Sequence, residues 1–162
     1  MKPIFPQLTK IPLPMKVSET GIRLIAKYEG FRREPYLDAV GIPTIGYGNT
    51  FYPDNTRVKM TDKPITEEKA RELLRDIVQG FEREVSKVMK QVNQNQFDAV
   101  LSFVYNLGTT NFKKSTLLKR INENPNDHDI PYQFSRWNKA GGKVLLGLTR
   151  RRKEEAELYF KL

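Results

Sequence analysis

Three residues in one turn-rich stretch have the types and spacing for acid and base work. In YEGFRREPYLDAVGIPTIGYGNT, residues 28–50, Glu29 is followed by Asp38 and then by Thr44, among four glycines and two prolines. Hydrolysis of a glycosidic bond needs such a set: one carboxylic acid protonates the leaving oxygen, and a second carboxylate orients water or stabilises an oxocarbenium-like transition state. Glu29 follows Ile22 by seven residues and Ile25 by four, which places it on the apolar face of a helix. Its carboxyl is expected to point inward or along a cleft wall, where desolvation favours the neutral acid and raises its pKa. Asp38 is expected to face it across a groove, with the Thr44 hydroxyl holding a water beside it. The glycines of TIGYG, Gly48 among them, let a sugar come close to the backbone. Glu34, in RREP, reads as a solvated loop charge. On residue types alone other readings stand: Glu29 paired with a basic residue, Asp38 capping a turn, and Thr44 as an ordinary strand residue.

The elements that must position these groups are legible in the pattern. SETGIRLIAKYEG predicts a helix with Ser18 as N-cap and Gly30 as its left-handed stop. PYL and TIGYG predict a small antiparallel hairpin or sheet, and Pro53, Asp54, Asn55 and Pro64 make residues 51–65 a loop. Ala70, Leu73, Leu74, Ile77, Val78, Phe81, Val85, Val88 and Met89 form one stripe behind a Thr66 N-cap. That helix is ~35 Å long at ~1.5 Å per residue, enough to bridge two lobes. The remaining segments predict helices over NQFDAVLSFVYNLG, KSTLLKRINEN, YQFSRWNKA up to Gly141-Gly142, and LTRRRKEEAELYF. The fold class is α+β, predominantly α, with its strands gathered near residues 35–50. Residues 1–16, with four prolines, three lysines and no acid, read as a basic arm outside a domain spanning 17–162.

Composition narrows the chemistry. A chain of 162 residues suits one domain with a sizeable core. The absence of cysteine excludes disulfides and thiol nucleophiles, and the single His128, in the polar NPNDHDIP, reads as a solvated loop residue. No metal and no cofactor are expected. No apolar run approaches the ~18 residues of a membrane span, so no stable membrane insertion is expected. The start of the chain lacks the apolar core of a secretory signal. The formal net charge of +9 draws the surface to polyanions without choosing among nucleic acid, acidic lipid and an anionic wall polymer.

The segment EGFRREPYLDAVGIPTIGYGNT resembles the catalytic segment of the phage T4-type lysozymes, glycoside hydrolase family 24, and is most similar to the endolysins of tailed phages. FDAVLSFVYNLG and SRWNKAGGKVLLGLTRRRKEEAELY resemble the family's C-terminal lobe, so the likeness covers roughly residues 18–160. It implies a two-lobed lysozyme-like domain with a small antiparallel sheet and a long linking helix. It also implies hydrolysis of the β-1,4 bond between N-acetylmuramic acid and N-acetylglucosamine of bacterial peptidoglycan, with inversion. Glu29 is then the acid, and Asp38 with Thr44 positions the attacking water. The resemblance further implies a monomer made in the host bacterial cytoplasm, with a holin-type partner to breach the membrane. Many relatives carry a histidine after GYG where this chain has Asn49, which is expected to line the site.

Tyr105 and Asn106, and Arg136 with Trp137, are of types that line glycan grooves, through aromatic faces, amides and guanidinium donors. Trp137 shares spacing with Phe134 and reads as core before platform. Arg152, four residues from both Leu148 and Ala156, is expected to reach inward as half of a buried pair. Two rival functions remain. A lytic transglycosylase cleaves the same bond but needs no water-holding aspartate. A non-enzymatic polyanion-binding module would use Arg150, Arg151 and Arg152, yet no nucleic-acid motif accompanies them, and LTRRRKEEAE suits i,i+4 pairs on a solvated helix.

Overall fold

The structure, a computed structural model, describes residues 15–162. The arm expected at 1–16 lies outside them apart from its last two residues. Met15 packs on the core, and the Lys16 carbonyl accepts a hydrogen bond from Gln94 Nε2 at 2.8 Å.

Helix α1, Glu19–Glu29, is fixed at its start by two buried carboxylates from other helices. Val17 N donates to Glu82 Oε2 at 3.1 Å, and Ser18 N donates to Asp98 Oδ1 at 2.9 Å. Ser18 stands at the N-cap position as expected, but its hydroxyl bonds Asp98 Oδ2 instead of the first turn of its own helix. Gly21 permits this approach, since a Cβ there would lie 2.9 Å from Asp98 Cγ. Gly30 ends α1 at φ 73°, ψ 137°, a glycine conformation outside the left-handed helical well.

The chain turns from Gly30 into β1, Arg32–Leu37, which pairs antiparallel with β2, Pro43–Gly46. Tyr36 faces Thr44 and Leu37 faces Pro43, with a register shift between Arg32 and Tyr36. Residues 51–65 form the expected loop, carrying one bridge between Phe51 and Arg57. Helix α2, Glu67–Val88, begins with Thr66 Oγ1 accepting from Lys69 N at 3.1 Å. It starts against β2, where a Cβ on Gly46 would lie 3.3 Å from Ala70 Cβ. Its far end meets Asn122, whose Nδ2 donates to Val88 O at 2.9 Å. The long helix therefore runs from the hairpin to the C-terminal helices.

Helix α3, Gln94–Leu107, is opened by an Asn93/Gln96 capping box and is buried from Gln96 to Val104. It is packed by α1, by α2, and by two later elements: α4, Thr109–Lys114, and α7, Leu146–Tyr159. Between these lie α5, Thr116–Glu123, and α6, Ile130–Ser135. The helix expected through YQFSRWNKA stops at Ser135. Lys139–Ala140 and Lys143–Val144 instead form a second antiparallel pair, β3 and β4, so the strands are not confined to residues 35–50. Gly141 at φ 56° and Gly142 at φ 77° make its turn, and two consecutive positive φ values are what a tight two-residue hairpin requires.

Replacing Asp98 removes an acceptor shared by Ser18 N, Ser18 Oγ and Gln94 Nε2 in a fully buried setting. Asp98→Ala is expected to destabilise the fold by about 3 kcal/mol. Urea unfolding followed by circular dichroism measures this, with native helix content retained before the transition.

Candidate active site

Glu29 is the last residue of α1 and keeps 23% of its side chain exposed. Its surroundings are ionic, which corrects the expected apolar setting. Arg151 Nη1, from α7, lies 2.8 Å from Glu29 Oε1, joining positions 122 residues apart in sequence. Of the alternatives weighed on residue types, pairing with a basic residue is what the structure shows.

Arg151 is itself held on every side. Its Nη2 donates to Ser102 O at 3.1 Å, its Nε donates to Ser102 Oγ at 3.4 Å, and the same Nε lies 3.4 Å from Glu155 Oε2. Its guanidinium carbon stands 5.6 Å from the centre of the Tyr28 ring. Behind it, Arg152 Nη2 donates to Asn106 Oδ1 at 2.8 Å and to Glu155 Oε2 at 3.2 Å. Arg152 Nε and Glu155 Oε1 are 2.7 Å apart but out of hydrogen-bonding line, so their attraction is Coulombic. The face of Phe103, 5.1 Å from the Arg152 guanidinium carbon, meets part of that cation. Arg152 is thus the buried half-pair expected, and the i,i+4 pairing expected of LTRRRKEEAE forms between Arg151 and Glu155, but on the buried side of α7, while Arg150 and Lys153 make its solvated face.

Burial drives the titrations in this cluster. It pushes the Glu155 carboxyl up to about 7 against the pull of Arg152, Ser102 and Arg151. It lowers the Arg152 guanidinium, with the Glu155 charge opposing. The Tyr105 phenol is raised, first by burial and then by the nearby Glu29 charge.

Glu29 and Arg151 open onto a recess of about 350 Å³, lined also by Tyr28, Asn106, Leu145 and Leu148. Asn106, of a type expected to line a glycan groove, lines this recess, although its carbonyl oxygen is committed to Arg152. Tyr105 does not offer a free aromatic face. Its hydroxyl donates to Tyr47 O at 2.7 Å and its ring meets Phe81 edge-on, so it ties the hairpin to α3. Gly48, exposed at φ 89°, lies beside this tie: a Cβ there would stand 3.8 Å from the Tyr105 hydroxyl. Asn49 is buried beneath the hairpin, with Nδ2 donating to Leu73 O at 3.3 Å, and so anchors the hairpin to α2 instead of lining an open groove. Trp137 packs edge-on against Phe103 and is half-buried, while Arg136 is exposed and donates to Gln133 Oε1 at 3.2 Å.

Asp38 sits at the end of the hairpin. Its Oδ1 accepts from Val40 N and Ile42 N, both at 2.9 Å, so one carboxyl oxygen builds the turn, as the capping reading anticipated. Its Oδ2 makes no hydrogen bond among the described residues. Thr44 is buried and its hydroxyl donates to Ile42 O at 2.8 Å, which leaves its lone pairs as acceptors. Glu34 is exposed as expected. Among the described residues, no three His, Cys, Asp or Glu side chains gather closely enough to hold a metal ion.

Residues 26–155 match the family model for phage lysozyme. The chain belongs to the phage lysozyme family. It is 43% identical over 148 residues to an endolysin of Bacillus phage B103, covering 90% of this chain and 54% of that protein. The chain thus spans about half the length of that relative. A crystal structure of a P22 lysozyme mutant superposes with TM-score 0.83 at 36% identity, covering 91% of this chain and 99% of that one. The muramidase domain of SpmX from Asticaccaulis excentricus gives 0.79 at 32% identity, covering 91% and 99%. The lysozyme-like α+β fold read from the sequence is therefore the observed one.

Arg151, Ser102 and Glu155 escaped sequence reasoning. A signal was present: Asp98, Ser102 and Asn106 recur every four residues among the mostly apolar residues 97–107, which marks a buried polar seam. Arg151→Met leaves Glu155 and Glu29 short of a counter-charge and is expected to cost about 3–5 kcal/mol. Arg136→Met, at an exposed position, is expected within about 0.5 kcal/mol of wild type. Thermal and urea unfolding of the two variants measure the contrast.

Proposed function

We propose that the chain is an endolysin muramidase, which hydrolyses the β-1,4 bond between N-acetylmuramic acid and N-acetylglucosamine in bacterial peptidoglycan with inversion. One observation carries the reading: a carboxyl at a helix end, held at 2.8 Å by a buried arginine, opens onto a recess, and the hairpin bearing Asp38 and Thr44 leaves directly from that helix end. Membership of the phage lysozyme family and the likeness to a muramidase domain support it.

Glu29 gives its proton to the glycosidic oxygen as the bond from the anomeric carbon to that oxygen breaks. A water on the other face of the sugar forms the new carbon–oxygen bond and releases a proton to Asp38. Thr44 acts as an acceptor, because its own proton is given to Ile42 O. A water that donates to both Asp38 Oδ2 and Thr44 Oγ1 keeps a lone pair for the anomeric carbon. Asp38 Oδ1, bound to two backbone amides, holds the carboxylate still while Oδ2 works. No step calls for a cofactor.

The same reading makes the protein a monomer in the host bacterial cytoplasm, reaching the wall after a holin-type partner breaches the membrane. No helix among the described residues is long and apolar enough to cross a membrane. The net charge of +9 serves adhesion to an anionic wall.

Glu29→Gln and Asp38→Asn are each expected to keep the fold and lose most clearing of purified cell walls, whereas Glu34→Gln clears at nearly the wild-type rate. Retained clearing by Glu29→Gln removes the acid assignment. Mass spectrometry of the released glycan separates hydrolysis, which adds one water per cut, from a transglycosylase, which leaves an anhydro sugar. Clearing is also expected to slow steadily between low salt and about 0.5 M, as screening weakens attraction to the wall. A flat salt response would leave the positive charge without that role.

A further inference from the structure

Glu155 has no place in the mechanism above, yet it is the most deeply enclosed carboxyl near the site, at 0% exposure. It accepts from Ser102 Oγ at 2.6 Å and touches both Arg151 and Arg152, and Arg151 is the group that holds Glu29. Two guanidiniums and two carboxyls therefore form one cluster, of which Glu29 and Arg151 line the recess while Arg152 and Glu155 lie behind it.

We propose that Glu155 is a positioning residue that sets, through Arg151, whether Glu29 carries the proton it must donate. This rests on the reading of Glu29 as the acid. With both arginines charged, two ionised carboxylates neutralise the cluster and one leaves it at +1. When Glu155 carries the negative charge, Arg151 has its counter-ion behind it and Glu29 can hold a proton. When Glu155 is neutral, the unbalanced guanidinium charge favours proton loss from Glu29. The two carboxyls are thus coupled through a common arginine.

The other groups around the pair leave this balance intact. From α1, Tyr28 bonds Glu154, and burial pushes its phenol up to about 12; Lys27 is paired with Glu154 at the surface. From α3, Tyr105 is also raised by burial and stays neutral over the working range, with Tyr36 from β1 near it. Ser102 and Asn106 carry no charge. Within this cluster Glu155 is thus the carboxyl behind Arg151 and Glu29 the carboxyl in front of it.

The test is the pH profile of wall clearing from pH 4.5 to 8.5, measured with folded protein verified by circular dichroism. Glu155→Gln keeps an acceptor for Ser102 but fixes the site as uncharged, so the alkaline limb of activity is expected to move down by about one pH unit, with clearing recovered at the lower pH. Glu155→Asp keeps the charge and is expected to leave the limb in place even where its maximum falls. A Glu155→Gln protein that folds with an unmoved limb, or that loses activity equally at every pH, overturns the proposal. Where Glu155→Gln does not fold, Ser102→Ala substitutes for it. That change removes a donor that favours the ionised Glu155, so the limb is expected to move down by a few tenths of a unit, and an unmoved limb overturns the proposal. Glu29→Gln distinguishes the two failures: an inactive Glu29→Gln beside an unmoved Glu155→Gln limb refutes only the role of Glu155, while an active Glu29→Gln refutes the acid assignment beneath it.

Discussion

The contact between Arg151 and Glu29 is the constraint on which the site depends, because it fixes a partly exposed carboxyl by a charge that is itself almost wholly buried. A guanidinium with five donors in a rigid fork suits the task. Arg151 spends its donors on Ser102 and Glu29, and its charge is also opposed by Glu155, so the carboxyl at the helix end meets a partner that cannot swing away. A lysine at the same place would bring a charge without that fork. The arrangement is costly, since two guanidiniums and a carboxylate leave water, and the cluster is tolerated because each charge finds an opposite one or an aromatic face.

The helix that ends in Glu29 is fixed at both ends by the same neighbour. Asp98, near the start of α3, receives the backbone amide of Ser18 ahead of α1. Four residues on, Ser102 holds Arg151, which holds the last residue of α1. Four more residues on, Asn106 holds Arg152. Tyr105, on the same helix, reaches the carbonyl of Tyr47 beyond β2. The most buried helix thus presents apolar faces to the core and one polar seam to the site. Packing and positioning are done by one element, which explains why its interior is not uniformly apolar.

What the sequence made legible was local, and what it hid was long-range. Thr66, the stripe from Ala70 to Met89, and the hairpin over residues 32–46 follow from neighbouring residues, and each forms as the pattern required. Glu29 fell on an apolar spacing, but spacing names a face and not its occupant: the occupant is an arginine 122 residues away. Arg151 was hidden because RRRKEE reads as surface charge until α7 is laid against α3. The β3–β4 hairpin was missed for a different reason. Helix-forming residues on either side outweighed Gly141-Gly142, whose paired glycines are a stronger local signal for a tight turn than for a helix stop.

The two carboxyls are therefore held by unlike means, and this bears on how the chain can vary. Asp38 is fixed by its own turn, through amides two and four residues away, and needs nothing from the helical core. Glu29 is fixed by α7 and α3, and any change that loosens their packing reaches it through Arg151. The Asp38 side of the site can keep its geometry while the core is repacked, but the Glu29 side cannot. The hairpin nonetheless has to sit in a fixed place relative to Glu29. Gly46 on Ala70, Asn49 on Leu73 and Tyr105 on Tyr47 supply that, joining it to α2 and α3. With asparagine at position 49, the link to α2 is a neutral amide-to-carbonyl bond, so it has no ionisable partner to lose and holds the hairpin alike as pH changes.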